Sequence, residues 1–170
     1  MTHAEHAALL EGVTAGDRRS LARLISLVEN ADPGIDELLA KLYARTGRAY
    51  RIGVTGPPGA GKSTLIDALV ATLRARGTKV GVVAVDPSRP FTGGALLGDR
   101  VRMTTRTPDP GLFFRSMATR GSIGGLATTA SEVSDIYDAY GMDVVFLETV
   151  GVGQIELDVV AASDCTVVVL

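Results

Sequence analysis

The first third of the chain carries apolar residues at helical spacing, and from residue 50 the pattern changes to short apolar runs separated by amphipathic stretches. Leu21, Leu24, Ile25 and Val28 repeat every three or four residues, as do Ile35, Leu38, Leu39 and Leu42, so two helices with one buried face each are expected. Asp32-Pro33 reads as an N-cap followed by proline at the first helical position, and Thr46-Gly47 ends the helical section. The strand candidates are 50–55, 79–85, 112–116, 143–149 and 165–170. Between them, Leu65, Ile66, Leu69, Val70 and Leu73 mark one helix, and Leu126, Ala130, Val133, Ile136 and Tyr140 another. Val80-Gly-Val-Val-Ala-Val85 has no polar alternation, the pattern of a parallel strand covered on both faces. The expected fold is α/β: a doubly wound, mostly parallel sheet (residues 49–170) preceded by an N-terminal helical extension (residues 1–48). Thr166-Val-Val-Val-Leu170 is a core-type strand with nothing after it to cover it, so a further C-terminal part of the domain is expected beyond Leu170.

Composition changes this picture little. The chain has 46% hydrophobic and 21% charged residues and a net charge of −2, so there is no basic excess to bind nucleic acid. No apolar run is long enough to span a membrane, and the start, Met1-Thr-His-Ala-Glu-His6, lacks the basic and apolar regions of a secretory signal. The one cysteine, Cys165, lies in an apolar run and is expected to be a buried structural thiol; a lone thiol fits a reducing cytoplasm.

Chemistry enters at Gly56-Pro-Pro-Gly-Ala-Gly-Lys-Ser63, which fits G-x-x-x-x-G-K-[ST] and stands between an apolar strand and an amphipathic helix. Glycines let backbone N–H groups curve around phosphate oxygens, and the following helix turns its positive end toward them. The phosphate-binding candidates are Gly56, Pro57, Pro58, Gly59, Ala60, Gly61, Lys62, Ser63 and Thr64. Lys62 is expected on the β- and γ-phosphates and the Ser63 hydroxyl on Mg²⁺. Acids are needed to hold the metal or its waters, and two follow apolar runs at strand ends: Asp86 after Val82–Val85, and Glu148 after Val144–Leu147. Asp86 could also cap the turn at Pro87, and Asp99 could simply start a helix. Binding and hydrolysis of a purine nucleoside triphosphate with Mg²⁺ is the activity these residues fit, with Lys62 and Glu148 as the catalytic candidates.

Three longer stretches narrow the class: Val85-Asp-Pro-Ser-Arg-Pro-Phe-Thr-Gly-Gly-Ala-Leu-Leu-Gly-Asp-Arg-Val-Arg-Met103, Arg115-Ser-Met-Ala-Thr-Arg-Gly-Ser-Ile-Gly-Gly-Leu-Ala-Thr-Thr129 and Glu148-Thr-Val-Gly-Val-Gly-Gln154. With Ile25-Ser-Leu-Val-Glu-Asn30, they closely resemble the MeaB/ArgK family of GTPases over nearly the whole chain. The resemblance implies GTP and GDP as ligands, Mg²⁺, and a role as G-protein chaperone of an adenosylcobalamin-dependent acyl-CoA mutase, notably methylmalonyl-CoA mutase. It implies a homodimer for the full-length protein. It also makes Asp99 a metal-site residue beside Ser63, Asp86 and Glu148, and makes 86–103 and 148–156 the two switches. Gly93, Gly94, Gly151 and Gly153 suit backbone that changes conformation. The family's guanine-reading Asn-Lys-x-Asp motif and its C-terminal dimerisation arm would lie beyond Leu170, so guanine preference comes from the resemblance alone. Arg89, Arg100, Arg102 and Arg106 are unranked candidates for a stimulating arginine.

Two other readings compete. The first is a small-molecule kinase or an ATPase of a transport system, since the same loop is common in nucleotide kinases and ATPases and the older description of the resembled family is transport-system kinase. An Asp-Glu ATPase, however, is disfavoured where the strand ends Glu148-Thr-Val-Gly. The deviant P-loop class is disfavoured because its signature lysine position holds Pro57. A nucleotide-holding module that scarcely turns over, docking a partner through helices 17–45, is the second.

Overall fold

The structure, a computed structural model, describes residues 3–86, 109–118, 123–149 and 154–170. Three helices, α1 (His3–Thr14), α2 (Arg18–Glu29) and α3 (Ile35–Tyr43), precede the strands. Then follow β1 (Tyr50–Thr55), α4 (Lys62–Ala75), β2 (Val80–Asp86), β3 (Leu112–Ala118), α5 (Ile123–Tyr140), β4 (Val144–Thr149), α6 (Gln154–Ala161) and β5 (Cys165–Val168). The five strands form one parallel sheet in the order β3-β2-β4-β1-β5. All strand ends that carry candidate site residues therefore emerge along one edge, with β4 at the centre between β1 and β2.

Both faces are covered, as the unbroken apolar runs require. On one face, Ile66 and Val70 of α4 pack on Val54, Val80, Val82 and Phe146. On the other, Val83, Val85, Val145 and Leu147 join Val133, Ile136 and Tyr137 of α5, Val159 of α6 and the apolar faces of the N-terminal helices in one cluster. Leu21, Leu24, Ile25 and Val28 are all buried in it, which is why α2 shows so clear a helical period. Polar bonds fix the same docking. Arg18 donates to the carbonyls of Asp109 and Leu112 at 3.1 and 2.9 Å and lies over the Phe113 ring. At the far end of α2, Glu29 pairs with Arg115 of β3. The Glu29 carboxylate raises the Arg115 pKa further, against the opposing effect of burial.

Three local expectations need correction. Asp32 does not cap α3. The N–H of Asp32 bonds to Leu27 O and that of Ala31 to Val28 O, and Ala31 has φ +49°, so Asp32 belongs to the Schellman-type end of α2. The helix start is instead Gly34, at φ +87° with no side-chain cap. Cys165 is half-buried; among the described residues β5 pairs with β1 alone. That strand ends at Val168, not 170. Of the site candidates, Asp99 lies outside the described residues, as do Arg89, Arg100, Arg102, Arg106, Gly93, Gly94, Gly151 and Gly153.

Candidate functional site

β1 runs out at Thr55 and the chain turns at Gly56, where φ is +135°. A Cβ there would lie 2.1 Å from the carbonyl oxygen of Val169, so both the backbone angle and the space demand glycine. The loop passes through Pro57–Ala60 and reaches α4 at Lys62, with Gly61 left-handed at the cap position and offering no side chain. The first turn of α4 thus presents its backbone amides to the loop, the arrangement that attracts phosphate oxygens.

Lys62 folds back into this loop. Its ammonium donates to the carbonyls of Gly56 and Pro57 at 2.7 and 3.0 Å, and the residue is only 7% exposed. A buried cation is tolerable here because carbonyl dipoles surround it. The next residue, Ser63, donates through its hydroxyl to the Glu148 carboxylate at 2.5 Å. Glu148 is held opposite Ser63 by the sheet register, paired with Val54 on one side and Ala84 on the other. Asp86 is the last residue of β2, two beyond Ala84, and its backbone pairs with Ala118 of β3. The structure therefore brings Lys62, Ser63 and Glu148 together and puts the Asp86 backbone on the same edge of the sheet.

The donor set is all oxygen and includes one carboxylate and one hydroxyl. This fits Mg²⁺, which keeps several waters and takes only one or two carboxylates beside substrate phosphates. Among the described residues no group of three His, Cys, Asp or Glu gathers as a self-sufficient metal cage. A metal here would have to share its ligands with phosphate and water.

These features sit in a recognisable lineage. The model of the family described as "Methylmalonyl Co-A mutase-associated GTPase MeaB" matches residues 21–170. The chain belongs to the MeaB family. A protein from Pyrococcus abyssi is 57% identical over 161 residues, which are 95% of this chain and 50% of that one. The GTPase ArgK of Escherichia coli is 43% identical over 154 residues, 88% of this chain and 46% of ArgK. The crystal structure of LAO/AO transport system kinase superposes with a TM-score of 0.77 at 33% identity, over 99% of this chain and 51% of that one. The chain thus spans about half the length of the curated relatives it matches. The doubly wound MeaB-family fold expected from the strand pattern and the motifs is the one observed.

Two polar clusters leave no signature in the sequence. Thr55 Oγ1 donates to Glu156 of α6 at 2.9 Å and accepts from Thr149 at 3.4 Å. At the opposite end of the sheet, the buried carboxylate of Asp138 accepts from the amides of Gly47, Arg48 and Ala49. Asp138 stands in a run, Tyr137-Asp-Ala-Tyr140, that looks like any helix with one solvated acid; only the three-dimensional approach of the 47–49 linker distinguishes it.

Proposed function

We propose that the whole protein binds GTP and hydrolyses it with Mg²⁺, and that its nucleotide state is read by an adenosylcobalamin-dependent acyl-CoA mutase. Methylmalonyl-CoA mutase is the candidate, because the family description names it. The observation that carries the reading is the phosphate loop itself: an ammonium held inside the loop, and a helix-start serine bonded to a strand-end carboxylate.

In this reading, the backbone N–H groups of Gly59 to Thr64 cradle the β- and γ-phosphates, while Gly56, Pro57 and Pro58 shape the turn. The Lys62 ammonium exchanges its carbonyl partners for phosphate oxygens and opposes the charge that develops as the terminal phosphoryl group leaves. Ser63 and Glu148, joined by Asp86 and Asp99, hold the metal or its waters. When bound, Mg²⁺ neutralises phosphate charge and orients the triphosphate. Guanine preference and a homodimer of the whole protein are proposed on the family resemblance, and a cytoplasmic location on the lone thiol Cys165. Loss of the γ-phosphate removes contacts from segments 86–103 and 148–156, and a partner that tells the two states apart must shift nucleotide affinity in return.

The test is to measure GDP and GTP-analogue affinities of the whole protein with and without the cognate mutase. The expected coupling is about 1–3 kcal/mol, roughly 5- to 150-fold. Identical affinity ratios in the two conditions would reject the mutase as the partner. A second reading, a kinase acting on amino acids, is prompted by the name of the superposed transport-system kinase. Phosphorylated arginine or ornithine in the same incubation would favour it.

A further inference from the structure

We propose that the Thr55 hydroxyl is a positioning group for nucleotide hydrolysis, tying the two flanks of residues 150–153 to the strand end from which the phosphate loop departs. This rests on the GTP hydrolysis proposed above. Thr55 and Thr149 lie one residue beyond the Val54–Glu148 pair on adjacent strands, and both are buried, at 8% and 2% exposure. Thr149 Oγ1 donates to Thr55 Oγ1, and Thr55 Oγ1 donates in turn to Oε1 of Glu156. One hydroxyl acts as acceptor and donor at once, so its rotor is fixed by both partners. The terminal carboxylate polarises the chain and strengthens both bonds.

The placement of these three residues gives the chain its reach. Thr55 immediately precedes Gly56, where the phosphate loop begins. Thr149 immediately follows Glu148, the partner of Ser63. Glu156 lies in the first turn of α6, on the far flank of 150–153. Side chains alternate along a strand, so Glu148 faces α4 while Thr149 faces the α6 layer. A displacement of Thr149 is thus transmitted through one peptide unit to Glu148, and a displacement of Thr55 through one peptide unit to Gly56. The Thr55 hydroxyl touches neither phosphate nor metal in this account. It keeps the Glu148 side of the site in register with the loop side, and small misplacements at such a site are costly in rate.

Substitution of Thr55 by valine keeps the shape and deletes the hydroxyl. For the whole protein, Thr55→Val is expected to lower kcat for GTP by about tenfold or more. The KM for GTP and the affinity for GDP should stay within about threefold of wild type. Thr55→Ser, which restores the hydroxyl, should recover most of the rate. If Thr55→Val does not fold, Glu156→Ala removes the other end of the same bond and should show the same split between kcat and KM. Wild-type kcat in either variant, or an equal loss of rate and affinity, would overturn the proposal. Wild-type protein that releases no phosphate from GTP would overturn the underlying hydrolysis reading and this one with it. Normal wild-type turnover matched by Thr55→Val would overturn this one alone.

Discussion

Lys62 and Asp138 are two buried charges at opposite ends of one sheet, and their partners differ in kind. Asp138, 2% exposed, takes three successive amides of the linker that leads into β1, with Arg51 at 3.8 Å. Every donor it meets belongs to the fold, and the carboxylate closes the join between α3 and β1. Lys62 meets two carbonyls of the very loop whose amides suit phosphate. Its partners can be exchanged for a ligand's oxygens without unmaking any helix or strand. A buried charge marks a site when its partners are replaceable, and marks architecture when they are not.

The largest effect should separate the two. Lys62→Ala is expected to cut GTP turnover by about 100-fold or more, the usual consequence of removing one group that stabilises transition-state charge, while thermal unfolding changes little. Turnover near wild type, measured by phosphate release, would remove Lys62 from the site.

Asp138→Ala should do the reverse. It strands buried amides and costs about 2 kcal/mol of stability, seen in chemical denaturation, while the folded fraction retains its nucleotide affinity. A weakened affinity with unchanged stability would contradict the assignment of Asp138 to architecture.

The smallest effect sharpens the architectural end. Burial, then the charges of Asp36 and Asp135, raises the Glu132 pKa above its ordinary value. A raised carboxyl pKa means that the folded state favours the protonated form. That contribution is present in acid and lost as pH rises through the raised value, so ionised Glu132 opposes folding at neutral pH. Glu132→Gln should raise the melting temperature at pH 7, and the gain should vanish as pH falls below the carboxylate range. A melting temperature lowered at pH 7 would contradict this.

The phosphate loop was legible because its spacing is dictated by backbone geometry, and the strands were legible because two-sided burial erases polar alternation. Glu148 could be read for the same reason: an acid that ends an apolar run needs a partner, and Ser63 supplies one. The Asp32-Pro33 signal misled because the end of α2 claimed Asp32 first, through its own backbone. Thr55, Glu156 and Asp138 were silent because their partners are distant in sequence, and a threonine at a strand end or an acid on a helix has an ordinary look. The half-burial of Cys165 reflects which strands flank β5 among the described residues, and an apolar run does not encode that.

The proposed chemistry requires Ser63 and Glu148 to hold Mg²⁺ against a triphosphate bound by the loop. The direct measurement is phosphate release from GTP by the whole protein in Mg²⁺ and in EDTA, for wild type and Glu148→Ala. Turnover is expected in Mg²⁺ and none in EDTA, with kcat falling about tenfold or more in Glu148→Ala and nucleotide affinity falling less. Turnover indifferent to EDTA, or a Glu148→Ala protein as fast as wild type, would contradict it.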